Sequence, residues 1–281
     1  MNRHKKFVQV NGVDLCVETF GDPADPAILL IMGGGASMDW WEDEFCERLA
    51  AGPRFVIRYD HRDTGQSVTY EPGSPGYTSR DLVTDAVGLL DAFGLASAHI
   101  VGLSMGGGIA QALALDYSSR VASLTLMATS PGGDDLPSMS EELQAAFSGQ
   151  AAEPDWSDRA AVIDYLVEDA RRYAAPSRTF EEGAMRVFLG RVYDRTVNMA
   201  SAMNHFMADG DGDSRKDLAK VMAPTLVLHG TEDPLFPYEH GRALAKAIPG
   251  GRLVPLERTG HEIPEVAWDV AIPEILRHTV G

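Results

Sequence analysis

The stretch HIVGLSMGGG (residues 99–108) decides the fold, because it places one serine between an apolar run and three consecutive glycines. Its Gly102-x-Ser104-x-Gly106 spacing matches a sharp strand-to-helix turn that raises the serine hydroxyl above the end of a sheet. Glycines on both sides keep side chains out of such a bend. The N–H groups that begin the following helix favour negative charge next to the serine. The simpler alternative is an incidental serine in a glycine-rich turn.

Apolar runs on either side of this stretch predict further strands. A hairpin around Asn11-Gly12 would join FVQV and VDLCVETF, since that dipeptide favours a two-residue turn. Six more runs predict strands: AILLIM (27–32), FVIRYD (55–60), AHIVGL (98–103), VASLTLMA (121–128), TLVLHG (225–230) and GRLVPLE (251–257). The first three are apolar on both faces, which fits central parallel strands covered by helices above and below. Helical patterns separate most of these runs. The sequence therefore predicts an α/β fold with a mostly parallel, eight-stranded sheet.

The alternation of strands and helices stops for about eighty residues in the second half of the chain. No convincing strand pattern occurs from about Pro131 to Asp213, where three or four helices are predicted. We expect a helical insertion (131–214) in a core made of residues 1–130 and 215–281. The chain then ends in a helical segment that we expect Pro273 to interrupt.

Composition excludes several classes of function. The 281 residues carry a formal net charge of −17, which disfavours binding to nucleic acid or to anionic membranes. Neither a signal-peptide pattern nor an apolar run of membrane-spanning length occurs, so a cytoplasmic protein is expected. Cys16 and Cys46 lack metal-site spacing and are expected to be free, semi-buried thiols. Whether the chain forms a homo-oligomer is left open.

A serine nucleophile needs a base and an acid that orients the base. His261 is the best candidate for the base, because it lies in the loop ERTGHEIP directly after a predicted strand. The acid should also follow a strand, and Asp233 follows TLVLHG, with its neighbour Glu232 as the second choice. Two acids that do not directly follow a strand rank lower: Asp134 and Asp135.

An oxyanion hole needs two backbone N–H donors. Met105, the residue after the nucleophile, is expected to supply one of them. The glycine loop after AILLIM is expected to supply the other, from Gly34 or less favourably from Gly33.

Four residues are candidates for binding a substrate. Trp40 and Trp41 follow the glycine loop and could stack on a flat ligand. Met203 and Phe206 belong to an insertion rich in methionine and aromatic residues, which suits an adaptable apolar pocket. Packing of the insertion's helices on one another and on the core is the alternative for most such residues.

These motifs resemble the α/β-hydrolase superfamily over residues 7–130 and 215–281, with the insertion in the place of the family's lid. More narrowly, FGDPADPAILLIMGG, VIRYDHRDTGQS and VGLSMG resemble the aclacinomycin methylesterase group. Met32 stands where many superfamily members have histidine, as it does in that group. The resemblance implies hydrolysis of a carboxylic methyl ester on an anthracycline-type polyketide, with no metal and no cofactor. In YDHRDTGQS, Asp60, Arg62 and Asp63 are expected to order a loop beside the site.

Three functions remain in competition after these observations. The first is a serine-dependent carboxylic ester hydrolase acting on a bulky, polyketide-type small molecule. The second keeps the same three catalytic residues but is a cofactor-free perhydrolase or haloperoxidase, a lactonase or a C–C hydrolase. The third is a non-catalytic ligand-binding protein on a hydrolase fold.

Overall fold

A computed structural model describes residues 2–150, 153–209 and 214–280. One sheet contains eight strands in the order β1-β2-β4-β3-β5-β6-β7-β8, and only the β1–β2 and β2–β4 pairs are antiparallel. The strands are β1 (Arg3–Val10), β2 (Val13–Phe20), β3 (Ala27–Ile31), β4 (Phe55–Tyr59), β5 (Ala98–Leu103), β6 (Val121–Met127), β7 (Thr225–Gly230) and β8 (Arg252–Leu256). The predicted α/β fold with a mostly parallel, eight-stranded sheet is confirmed.

Helices occur both beside the sheet and between β6 and β7. The α-helices are α1 (Asp43–Ala51), α2 (Ser79–Ala92), α3 (Met105–Asp116), α4 (Glu141–Ala145), α5 (Arg159–Tyr173), α6 (Glu182–Arg195), α7 (Glu239–Ala247) and α8 (Glu265–His278). Shorter helical turns are 3-10 helices at Met38–Trp40, Ser118–Arg120, Ala200–Phe206 and Ser214–Lys220, and a π-helix at Ala146–Gln150. Between β6 and β7, residues 128–150, 153–209 and 214–224 contain no strand.

Alternating side chains of the central strands enter two separate apolar layers. On β3, Leu29 and Ile31 pack with residues of α2 and α3, whereas Ile28 and Leu30 pack with residues of α1 and α8. Side chains in a strand point alternately to opposite faces, so a strand covered on both faces must be apolar throughout. The continuous apolar runs in the sequence follow from this double cover.

The expected interruption of the last helix at Pro273 was wrong. Helix α8 continues through this residue, and it buries Trp268, Ala271, Ile272 and Ile275 against the sheet. A proline within a helix costs about 3 kcal/mol. Burial of four apolar side chains offsets this cost, so packing overrides the local propensity.

Both cysteines are free and fully buried, rather than semi-buried. Burial raises the pKa of the Cys16 thiol to about 11 and that of Cys46 to about 12. Since the thiolate is the reactive form, both thiols are inert at neutral pH. Within the described ranges, no helix combines the length and the apolar character needed to cross a bilayer.

Candidate active site

Ser104 occupies a strained turn between β5 and α3. Its φ of 52° and ψ of −118° are unfavourable for a residue with a side chain. A Cβ on Gly102 would lie 2.2 Å from the carbonyl oxygen of Gly106, and a Cβ on Gly106 would lie 2.2 Å from that of Ile31. At both positions a side chain would collide with a backbone carbonyl, so only glycine fits. This explains the Gly102-x-Ser104-x-Gly106 spacing.

Hydrogen bonds from the neighbouring strand hold the strained turn in place. The N–H of Ser104 donates to the carbonyl of Met127, at 3.0 Å. The carbonyl of Ser104 accepts from the hydroxyl of Thr129 at 2.8 Å and from the N–H of Gly108 at 3.1 Å. The serine is thus fixed at the carboxyl end of β5, beside the end of β6.

Asp233 and His261 are hydrogen-bonded, with 2.9 Å between the carboxylate Oδ2 and the imidazole Nδ1. The other carboxylate oxygen accepts the N–H groups of Leu235 and Phe236, at 2.9 and 2.8 Å. Burial acts to raise the pKa of Asp233, but His261 and the N–H donors hold that pKa below its usual value. Asp233 therefore stays ionised and orients His261, whose Nε2 is then the nitrogen available to a nucleophile.

Two neighbours of Asp233 have other partners. His229 lies with Nε2 at 3.6 Å from the Asp233 carboxylate, and the same nitrogen contacts the carbonyl of Phe236 at 2.7 Å. Burial lowers the pKa of His229, so it is neutral and fits the structural role expected for a histidine within a strand. The carboxylate of Glu232, the second choice for the acid, instead accepts the N–H of Ser177 at 3.0 Å.

The glycine loop after β3 lies against the start of α3. A Cβ on Gly33 would lie 3.4 Å from the Cβ of Ser104, and one on Gly34 would lie 3.4 Å from the sulfur of Met105. Met105 is the first residue of α3, where N–H groups have no partner within the helix. The N–H of Gly35 donates to His205 at 2.9 Å. The structure therefore places Gly33 against Ser104 and Gly34 against Met105, and the roles of Gly34 and Met105 as oxyanion donors stay predictions.

A cavity of about 420 Å³ is lined by both Ser104 and His261. Trp40, Met203 and Phe206 line the same cavity, as expected for substrate-binding residues.

Trp41 was wrongly predicted to face a ligand. Its side chain is fully buried in the layer beside α1 and α8, with its ring 5.5 Å from that of Phe45. The 3-10 turn Met38–Trp40 ends just before Trp41, so the two adjacent indoles point to different parts of the molecule.

Polar residues of the cavity wall were missed by sequence reasoning. Asp169 and Arg172 line the cavity from α5, with 3.6 Å between their charged groups. Burial raises the pKa of Asp169 although Arg172 lies beside it. Their spacing of three residues places them on one face of a helix. Nothing in the sequence indicates that this face meets the cavity.

The strained serine, the carboxylate–imidazole pair and the sheet order define an α/β hydrolase. The chain belongs to the alpha/beta hydrolase fold family, whose model matches residues 26–267. Two relatives are each 34% identical and cover 98% of this chain and 97% of their own: rhodomycin D methylesterases DauP from Streptomyces sp. (strain C5) and DnrP from Streptomyces peucetius. A solved hydrolase from Pseudomonas aeruginosa PA01 is 27% identical with a TM-score of 0.74, covering 99% of this chain and 98% of its own.

Proposed function

We propose that this protein is a serine-dependent carboxylic ester hydrolase that removes the methyl group from a bulky, aromatic polyketide-type ester. The observation that carries the proposal is the placement of Ser104 and His261 on one cavity, with His261 bonded to Asp233 at 2.9 Å. The two 34% identical relatives named as rhodomycin D methylesterases support this choice of ester.

In the proposed reaction, the Ser104 hydroxyl attacks the ester carbonyl carbon while His261 Nε2 accepts its proton. The N–H groups of Gly34 and Met105 stabilise the negative oxygen of the tetrahedral intermediate. His261 then gives this proton to the methoxy oxygen, the bond from that oxygen to the acyl carbon breaks, methanol leaves, and the acyl group remains on Ser104. A water molecule then gives a proton to His261 and attacks the acyl carbon. The bond to Ser104 breaks, Ser104 takes the proton back from His261, and the carboxylic acid leaves. Asp233 keeps Nε2 of His261 aimed at the serine throughout.

The cavity suits a large aromatic acyl group. Its volume of about 420 Å³ falls in the range of small-molecule sites. Aromatic rings from both parts of the chain line it: Trp40, Trp156, Tyr165, Tyr173 and Phe206. We propose that the insertion (131–214) acts as a lid on the core (1–130 and 215–281), because its residues form one wall of this cavity. The cytoplasmic location and the absence of nucleic-acid partners stay predictions.

Labelling with a fluorophosphonate probe, read by intact-protein mass, tests the proposed nucleophile. We expect one adduct on the wild type and none on Ser104→Ala or His261→Ala. Hydrolysis of an aromatic methyl ester should fall by about 10⁶-fold in kcat for Ser104→Ala, the magnitude known for loss of a serine nucleophile in subtilisin.

The matched control for this experiment is Ser123→Ala. Ser123 is a buried serine that also contacts a histidine, His99 at 2.8 Å, but it does not line the cavity. This variant should label and turn over like the wild type. A folded wild type that neither labels nor hydrolyses esters would favour a ligand-binding protein. Peroxide-dependent halogenation without ester hydrolysis would favour the haloperoxidase alternative.

A further inference from the structure

Two buried histidines contact the backbone of the glycine loop at its two ends. At the start of this loop (residues 32–35), Nε2 of His61 lies 3.1 Å from the carbonyl oxygen of Met32. At its end, Nδ1 of His205 lies 2.9 Å from the N–H of Gly35. Neither histidine lines the cavity or contacts Ser104, so the reaction described above uses neither ring.

The hydrogen bonds determine the form of each ring. Nδ1 of His205 accepts a hydrogen bond from the N–H of Gly35, so this nitrogen carries no hydrogen of its own, and Nε2–H donates to the carbonyl of Arg62 at 2.7 Å. His61 donates from Nε2 to Met32. Burial lowers the pKa of His205, and it lowers that of His61 to about 3, so both rings are neutral.

We propose that His61 and His205 are positioning residues that hold the glycine loop so that the Gly34 N–H faces the oxyanion. This inference rests on the proposed function. The loop needs such support, because three consecutive glycines have unusual backbone freedom and no side chains to anchor them. An oxyanion donor acts only when it is held within hydrogen-bond distance of the developing charge. The bonds restrain the Met32–Gly33 and Gly34–Gly35 peptide groups, which lie on either side of the peptide that carries the Gly34 N–H.

His205 also makes the insertion part of this support. It belongs to the 3-10 helix Ala200–Phe206, far along the chain from the glycine loop. The next residue, Phe206, lies so close that a Cβ on Gly34 would approach its ring to 2.9 Å. The two histidine rings are themselves 5.6 Å apart, edge to face. The insertion therefore contributes to the geometry of the oxyanion hole as well as to the cavity wall.

The sharpest test compares His205→Asn with His205→Gln. An asparagine amide can place its oxygen where Nδ1 lies and accept the Gly35 N–H. A glutamine amide instead reaches the position of Nε2, where it contacts Arg62 and leaves Gly35 without its acceptor. We expect kcat for ester hydrolysis to fall about 10–100-fold in His205→Gln, with KM within about 3-fold, since loss of one oxyanion donor costs 10²–10³-fold. His205→Asn should retain most of kcat.

His61→Leu should also lower kcat more than it raises KM. His99→Leu is the control, since His99 is as buried as His205, at 7% exposed, and contacts Ser123 away from the site. The control should lose stability while keeping kcat. Circular dichroism and thermal unfolding establish that each variant folds. The acidic limb of the kcat/KM profile should be unchanged in His205→Gln, because His261 and Asp233 are intact.

Equal kcat values for folded His205→Asn, His205→Gln and wild type would overturn the inference while leaving the proposed function standing. An equal loss of kcat in His205→Gln and in the His99→Leu control would also overturn it, because destabilisation alone would then explain the loss. If His61→Leu does not fold, the asparagine and glutamine pair decides the question. Failure of the wild type to label or hydrolyse esters would instead remove the proposed function itself.

Discussion

Asp233 is the residue on which the orientation of His261 depends, and Glu232 beside it supplies a matched control. Asp233→Asn should keep the fold but lower kcat by about 10⁴-fold, because an amide favours the wrong imidazole tautomer. Glu232→Gln should stay within about 3-fold of wild type, since its carboxylate contacts Ser177 on the surface rather than His261. Steady-state hydrolysis of an aromatic methyl ester measures both. A larger loss for Glu232→Gln would show that the acid has been misassigned.

The glycines that follow Ser104 differ in whether a side chain fits at their position. Gly106→Ala should destabilise the protein by about 3 kcal/mol or more, because its Cβ would meet the carbonyl of Ile31 at 2.2 Å. Two residues on, Gly108 is exposed in α3 and has no atom within 4 Å of its Cβ position. Gly108→Ala should be up to about 1 kcal/mol more stable than wild type, owing to helix propensity. Urea unfolding of both variants checks the contrast, and equal effects would contradict it.

Among single residues, the sequence predicts those that belong to a recognisable local motif or that follow the end of a predicted strand. Ser104 stands in a recognisable turn, and Asp233 and His261 come after strands, so the sequence alone is enough to propose all three as candidates. Trp41 could not be placed, because adjacent residues of a short turn diverge and neither composition nor spacing says which one is buried. His205 could not be singled out either, because its contact with Gly35 spans 170 positions of the chain.

Among the elements, helix α6 is joined to the core through Arg195. Its guanidinium donates to both oxygens of the buried Asp60 carboxylate, at 2.7 Å each, and to Asp39 at 2.7 Å. Asp60 also accepts the N–H groups of Met38 and Gln66, so it connects the loops after β3 and β4. Arg195 therefore fixes the C-terminal end of α6 to loops that border the cavity.

Arg195→Met should destabilise the protein by about 3 kcal/mol, because it leaves the Asp60 carboxylate buried without its cation. Arg159→Met is the matched control. Arg159 forms a similar two-bond pair with Asp194 from α5 to α6, but both side chains are more than half exposed. Its loss should cost much less than the loss of Arg195, because solvent screens an exposed ion pair. Chemical denaturation measures both values, and a similar loss in the two variants would refute the assignment.

Elements of the core were more predictable than those of the insertion. Strands buried on both faces leave continuous apolar runs, and β7 was predicted at its observed bounds, Thr225–Gly230. Helices that cover a cavity are only partly buried, so their apolar pattern is weak and their starts were misplaced. In the sequence, Ser138 and Ser157 are the candidate N-caps of two helices in the insertion, but α4 begins after Ser140 and α5 after Asp158.

For the whole molecule, buried histidines make stability depend on pH. The pKa of His61 is about 3 in the folded chain, against about 6.5 in the unfolded chain. Between these values the unfolded chain binds a proton that the native protein does not. The free energy of unfolding therefore falls as the pH is lowered through this window, and it is fully retained above pH 6.5.

From pH 7 to pH 5, His61 should account for about 2 kcal/mol of lost stability. His61→Gln removes the titrating group, so its loss of stability over the same range should be smaller by that amount, whatever its stability at pH 7. Urea unfolding at both values, for the variant and wild type, measures the difference. Carboxylates whose pKa is lowered in the native protein, such as Asp233, also reduce stability as the pH falls. They do so equally in the variant and in wild type, so their contribution cancels from the difference. If wild type and His61→Gln lost the same free energy of unfolding between pH 7 and pH 5, protonation of His61 would not destabilise the native protein.

The burial of both cysteines has a consequence for how motion in this molecule can be observed. Because neither Cys16 nor Cys46 is accessible or ionised at neutral pH, maleimide reagents should leave the native chain unmodified. One cysteine introduced at Phe147, half exposed on the cavity wall, would then be the single reactive thiol. A fluorophore or spin label attached there would report opening and closing of the cavity without removal of any native residue from the core.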